Sequence, residues 1–263
     1  MDLPIWQVLL LAVVQGVAEF LPISSSGHIV IIAALLAPDN ESTFDVTDLN
    51  IVLHLGTLGS IVIVYFNRIL RLLKEDRHLI GLLAVATIPA VAIGLPLKMY
   101  GKEYLESPLL AGFMLIITGM VLIATSFMRS STKEHNPITY TKALLIGFAQ
   151  GAAILPGLSR SGSTIAAAMA QSIEPKTAAT FSFLMAIPVI AGGGLLEIKD
   201  LISDAPGTTA VSTLILGGFV SLVVGIFSLL WLLRWLERGR FYWFAFWCIP
   251  IGIAVIVWQT LLK

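Results

Sequence analysis

The 263 residues are 57% hydrophobic and only 12% charged, with a formal net charge of +0. A soluble domain carries roughly 45–50% apolar and about 25% charged residues, so this chain lacks the polar surface to face water on every side. The neutral balance gives no basic field for nucleic acid, and the one cysteine, Cys248, excludes an internal disulfide.

The chain opens Met1-Asp2-Leu3-Pro4, with no basic n-region and no small-residue cleavage site after the first apolar stretch. No removable signal peptide is expected, and the first helix is expected to belong to the mature protein. Six segments are predicted to span a bilayer: Asn50–Phe66, Leu79–Leu97, Leu109–Phe127, Ala178–Leu196, Thr213–Leu233 and Phe241–Leu262. Each is near the roughly 17–25 residues that a crossing helix needs. Two further apolar regions, Leu3–Ala37 and Ala143–Gln171, are broken in the middle by Pro, Gly and Ser. Two crossings of a core about 30 Å thick need about 40 residues plus a turn, more than either region has. Each is therefore expected to be a re-entrant helical hairpin, its irregular backbone buried in protein or lining a polar cavity.

Loop charges give the orientation. Asp39, Glu41, Asp45 and Asp48 follow the first hairpin, and Asp200 and Asp204, with Lys199, follow the fourth span. Arg68, Arg71, Lys74 and Arg77 follow the first span; Arg129, Lys133 and Lys142 follow the third; Arg234, Arg238 and Arg240 follow the fifth. Basic loops belong on the cytoplasmic side. Six spans and two re-entrant hairpins put all strongly basic loops there and both acidic loops outside, with both termini outside; Lys98–Glu106 is mixed and decides nothing.

The broken regions resemble each other. Gln15-Gly-Val-Ala-Glu-Phe-Leu-Pro-Ile-Ser-Ser-Ser-Gly-His28 aligns without gaps on Gln150-Gly-Ala-Ala-Ile-Leu-Pro-Gly-Leu-Ser-Arg-Ser-Gly-Ser163, with six of fourteen positions identical and Ser25 opposite Arg160. Three intervening spans invert the second copy. The expected fold is thus all-α: a single membrane domain over 1–263, with repeat 1 at 1–128 and repeat 2 at 143–263, and hairpin tips meeting near the midplane. Inverted repeats with broken helices converging on a central site also describe transporters.

Chemistry concentrates at the two breaks. Glu19 lies in an apolar helix, on the same face as Gln15 four residues earlier. A carboxylate there costs at least about 2.5 kcal/mol and needs a partner, a cavity or a proton; a neutral Glu bonded between helices is the structural alternative. Pro22 ends one helix, and Ser24, Ser25 and Ser26 precede His28. Capping accounts for one or two of the serines. His28 is the residue suited to moving protons near neutral pH, with a helix–helix hydrogen bond as the plainer role. The second break places Arg160 among Ser159, Ser161 and Thr164 at a helix start. A guanidinium fork beside free backbone N–H groups is an anion site, the alternative being an arginine that snorkels to the interface. His54 reads as structural or as a neighbour of the pocket. Gly147 and Gly151 read as close-packing positions, Gly192–Gly194 as a hinge without chemistry, and Trp231, Trp235, Tyr242 and Trp243 as an interfacial belt. A nucleophile, a proton carrier and an oxyanion clamp in a membrane point to phosphoryl transfer from a lipid.

Gln15 to His28, and Pro156-Gly-Leu-Ser-Arg-Ser-Gly-Ser-Thr164, resemble the two signatures of the bacterial undecaprenyl-diphosphate phosphatases, the bacitracin-resistance proteins. The resemblance covers essentially the whole chain. It implies hydrolysis of undecaprenyl diphosphate to the monophosphate, recycling the lipid carrier of peptidoglycan synthesis. It also implies an outward-facing site in the bacterial inner membrane and a frequently dimeric protein. Glu19, Ser25, His28 and Arg160 are the functional residues it implies, with Gln15 where the family has Glu or Gln, and His54 where it usually has Gln. Type-2 phosphatidic acid phosphatases share Ser-Gly-His and Ser-Arg, but place a nucleophilic His six residues after the Arg, where this chain has Ala166. The expected roles are attack by Ser25, proton handling by His28 and phosphate holding by Arg160 and the second hairpin's amides. Gln15, Ser24, Ser26, Ser159, Ser161 and Thr164 would line the substrate site. Glu19 would orient His28 or help hold a divalent cation, Mg or Ca. A lipid flippase or transporter with the same anion site is the rival reading.

Overall fold

The computed structural model describes residues 4–36, 47–128, 137–203 and 210–261. Every regular element among them is helical. Helices α1 (Ile5–Ala18) and α2 (Ser25–Leu36) are followed by α3 (Thr47–Val64), α4 (Phe66–Glu75), α5 (Arg77–Tyr100), the short α6 (Lys102–Leu105) and α7 (Pro108–Thr125). The second half holds α8 (Tyr140–Ala152), α9 (Arg160–Ala170), α10 (Pro175–Ser203), α11 (Val211–Glu237), a 3-10 turn at Phe241–Phe244 and α12 (Ala245–Leu261).

Among the described residues, five stretches are long and apolar enough to cross a membrane: α5, α7, Pro175–Leu195 of α10, α11 and Phe241–Leu261. A sixth is reached when α3 and α4, bent by 73° across Tyr65, are taken as one span. The expected span Asn50–Phe66 ends at that bend. Beyond it α4 sets Arg68, Arg71 and Lys74 one turn apart, with Ile69 and Leu72 on the other side, the pattern of a helix lying at an interface. Large apolar side chains such as Ile63, Phe113, Phe219, Phe227 and Phe246 are exposed on the outside of the bundle. This is a multi-pass membrane protein whose exposed faces are lipid-facing by composition.

The helices of the broken regions are short: 14 and 12 residues for α1 and α2, 13 and 11 for α8 and α9. At 1.5 Å per residue they reach about 17–21 Å, less than a hydrocarbon core. Packing between the halves is reciprocal: α1 lies on α11, α8 lies on α5, and α7 pairs with α12. Small residues bring the axes close. A methyl on Gly16 would sit 2.8 Å from Val224 Cβ, and one on Gly151 would sit 3.1 Å from the Pro89 carbonyl oxygen. Gly147 likewise meets the Ala86 carbonyl, so Gly147 and Gly151 are the close-packing positions their spacing suggests. Gly193 has open space around it.

The main core surrounds the first break. Phe20, Leu21 and Ile23 pack with Ile61, Phe183, Leu184, Leu229 and Leu232, and the Phe20 and Phe183 rings meet edge to face at 5.7 Å. Trp231, Trp235 and Trp243 of the expected belt cluster with Phe244, and Arg240 lies over the Trp243 ring.

Candidate active site

Both breaks have a local cause. Pro22 and Pro156 lie just past the ends of α1 and α8, where the chain leaves the helix. Ser24 adopts φ 68°, a left-handed conformation rare outside glycine, and restarts the chain as α2. Its hydroxyl accepts from the Gly27 amide at 3.3 Å and from the Gly157 amide of the other break at 3.1 Å. Gly157 adopts φ 92°, and a methyl there would strike the Ala111 carbonyl, so only glycine fits. A methyl on Gly27 would sit 2.6 Å from Gly157 Cα. The two breaks therefore touch, backbone to backbone.

The other predicted hydroxyls hold the breaks in place. Ser159 caps α9 by accepting from the Gly162 amide at 3.1 Å. Ser161 lies 3.2 Å from Ser159 Oγ and 3.4 Å from the Leu21 carbonyl oxygen. Thr164 donates to the Arg160 carbonyl at 2.7 Å and meets Ser182 Oγ at 2.6 Å, away from the carboxylate. Ser26, half-buried, has its Oγ 3.4 Å from Ser24 Oγ. Thr118 of α7, which sequence reasoning passed over, donates to the Gly157 carbonyl at 2.8 Å and accepts from the Ser159 amide at 2.9 Å. A threonine midway along an apolar span was its only signal.

Glu19 is the centre of the site. It is buried, just past the last residue of α1. Its Oε1 accepts from Arg160 Nη2 across the two breaks. Its Oε2 accepts from the Ser25 hydroxyl at 2.6 Å and from Gln15 Nε2 at 3.1 Å, and lies 3.8 Å from His54 Nε2. Arg160 Nη1 and Gln15 Oε1 are buried without a hydrogen-bond partner among the described residues. An incoming anion with acceptor oxygens matches that open guanidinium N–H.

His28 stands apart from this cluster. Its Nδ1 lies 2.8 Å from the Ser24 carbonyl oxygen, and its Nε2 accepts from Trp247 Nε1 at 3.0 Å, with the two rings nearly parallel. Its described bonds go to neither Glu19 nor Ser25, so the expectation that Glu19 orients His28 is corrected: the carboxylate holds Ser25 and Arg160 instead. Ser25 opens α2, and its Oγ turns back toward the end of α1 rather than along its own helix. The imidazole beside the carboxylate is that of His54, which sequence reasoning set down as structural or a neighbour of the pocket. Its signal was a polar residue inside the first span.

The residues present do not form a cage for a divalent cation. Both Glu19 oxygens are already bonded to protein donors, and no group of three or more His, Cys, Asp or Glu side chains occurs among the described residues. Mg²⁺ is usually held by one or two carboxylates together with substrate phosphates, and Ca²⁺ takes six to eight oxygens. Glu19 is not assigned as a metal ligand.

A buried carboxylate, a hydroxyl bonded to it and a guanidinium with an open N–H, joined where two interrupted helices meet, define a polytopic membrane protein with a polar, anion-ready centre. The chain belongs to the bacitracin resistance protein BacA family, whose model matches residues 8–254. It is similar to proteins named undecaprenyl-diphosphatase. One from Rhodopirellula baltica is 48% identical over 252 residues, 95% of this chain and 96% of that protein. One from Desulfatibacillum aliphaticivorans is 38% identical over 95% of this chain and 97% of its own length. One from Halothermothrix orenii is 36% identical over 96% and 97%.

Proposed function

We propose that this protein hydrolyses undecaprenyl diphosphate to undecaprenyl phosphate and inorganic phosphate, recycling the lipid carrier for cell-wall synthesis and so contributing to bacitracin resistance. The observation that carries the reading is the convergence of Ser25, Glu19 and Arg160: nucleophile, base and anion clamp meet at one carboxylate. The relatives' printed activity supports it over essentially the full length of both chains.

In this mechanism the terminal phosphate binds at Arg160, whose open N–H and positive charge stabilise the developing charge. Ser25 Oγ attacks phosphorus, the bond to the bridging oxygen breaks, and the lipid monophosphate leaves. The Ser25 proton passes to Glu19 Oε2 along the existing hydrogen bond. Water then cleaves the phosphoserine, giving one proton back to Ser25. His28 joins the start of α2 to α12 through Ser24 and Trp247, and it handles a proton only when its Nε2 leaves Trp247.

The finer organisation follows the same reading. The protein lies in the bacterial inner membrane, with basic loops cytoplasmic, the site open to the outside, and α1–α2 and α8–α9 as re-entrant hairpins of an inverted repeat. The reciprocal packing of α1 on α11 and α8 on α5 supports the repeat, and the basic face of α4 supports the orientation. A homodimer is part of the proposal from the family resemblance. Purified protein in detergent, with no gradient, should release phosphate from a polyprenyl diphosphate; a flippase or transporter would release none.

A further inference from the structure

The cluster contains two histidines near Glu19 and Ser25 in sequence or space, and their bonds differ in kind. A carbonyl oxygen only accepts, so Nδ1 carries the proton in both rings: against Ser24 in His28 and against Asn50 in His54, each at 2.8 Å. In the neutral ring Nε2 is then the bare nitrogen. In His28 that nitrogen is taken, because the Trp247 indole N–H only donates. A proton arriving at His28 Nε2 must break this bond. In His54 the bare Nε2 faces Glu19 Oε2 at 3.8 Å, the same oxygen that accepts the Ser25 hydroxyl.

We propose that His54 is the outlet for the proton that Ser25 gives up: it receives that proton from Glu19 and releases it from the site. The inference rests on the phosphatase reading above. Hydrolysis of a fully ionised diphosphate monoester yields two phosphates and one proton, so each turnover leaves a proton to be exported. The water that cleaves phosphoserine returns one hydrogen to Ser25 and leaves its hydroxyl on phosphorus. The proton from the first step therefore stays on Glu19 until it moves. While it stays, the carboxyl is neutral and Arg160 loses its counter-charge. Transfer to His54 Nε2 restores the carboxylate, so Glu19 is again the counter-charge of Arg160, with an imidazolium N–H near its other oxygen. The gap closes to hydrogen-bonding distance with a shift of about 1 Å, or through one water.

Exposure gives the direction. The side chains of Glu19 and Arg160 are 7% and 16% exposed, whereas His54 is 28% exposed. It lies seven residues, about 10 Å, from the start of α3. His54 acts through Glu19 and touches no reacting atom, which makes it a positioning residue for the proton rather than a catalytic one.

The test uses the full-length protein in detergent micelles with a polyprenyl diphosphate as substrate, comparing wild type, His54→Ala and His54→Gln with and without added imidazole. Gln keeps a polar side chain of similar reach but carries no proton. Both variants should lose roughly tenfold in kcat, less than the 10²–10⁴ of a group that itself transfers the proton at the reacting oxygen, with KM within about twofold of wild type. Imidazole should restore most of the turnover of His54→Ala and none of His54→Gln, whose side chain fills the space; rescue also shows that the Ala variant is folded. Wild-type kcat in His54→Gln, or no response of His54→Ala to imidazole, overturns the inference while leaving the phosphatase reading standing. No phosphate release from the wild-type protein rejects both.

Discussion

Glu19 accepts a hydrogen bond from Arg160 across 141 residues of sequence, and this buried ion pair ties the end of α1 to the start of α9. The pair neutralises two charges that neither broken helix could bury alone. Removing one partner of a buried pair strands the other, typically at a cost of about 3–5 kcal/mol. Glu19→Gln should therefore lower the apparent unfolding temperature in detergent as well as remove activity. Arg160→Lys keeps the charge without the fork and should lose most turnover; Arg160→Ala should lose nearly all. Wild-type phosphate release by Arg160→Ala would reduce the arginine to a structural joint.

Ser25 is the atom donor placed to attack, because its hydroxyl already points its proton at Glu19 Oε2. Ser25→Ala should abolish turnover, whereas His28→Ala should leave a slow reaction, since the nucleophile and its base both remain. Acid quenching of wild-type protein during turnover of labelled substrate should trap phosphoserine, which is acid-stable. Label recovered only on histidine, or full activity in Ser25→Ala, rejects the serine route.

The contact between Gly27 and Gly157 leaves no room for a side chain. Gly27→Ala should push the two breaks apart, costing about 1–3 kcal/mol as an overpacked substitution and misplacing Ser25 relative to Arg160. Gly157→Ala adds a left-handed backbone to the clash and should be worse. Thermal stability and phosphate release, measured together, check this: Gly27→Ala with wild-type values of both would mean the tips are not pressed together.

Orientation is tested by labelling. With Cys248 replaced by Ala, single cysteines at Asp45, which lies outside the described residues, and at Lys74 on α4 should react from opposite faces of the membrane. Labelling of both from one side would remove the six-span arrangement.

The membrane-spanning helices were legible in the sequence because lipid imposes a one-dimensional rule. A helix that satisfies its own backbone needs only length and apolar side chains, and both can be read along the chain. The span after Asn50 was legible only to its bend, since nothing local to Tyr65 announces a 73° turn. The breaks were legible for a similar reason: Pro22, Pro156 and Gly157 constrain their own backbone whatever surrounds them. The chain alone also determined that Glu19 needs a partner, because a carboxylate among apolar neighbours cannot stand unpaired. Which partner it takes was a tertiary matter. Arg160 and His54 reach it from α9 and α3, while His28, nine residues along the chain, turns away to Trp247 on α12. Sequence spacing places two side chains on one face of one helix. Across a break, the direction of the next helix is decided by what packs against it, here the Ser24–Gly157 joint and the α7 threonine behind it.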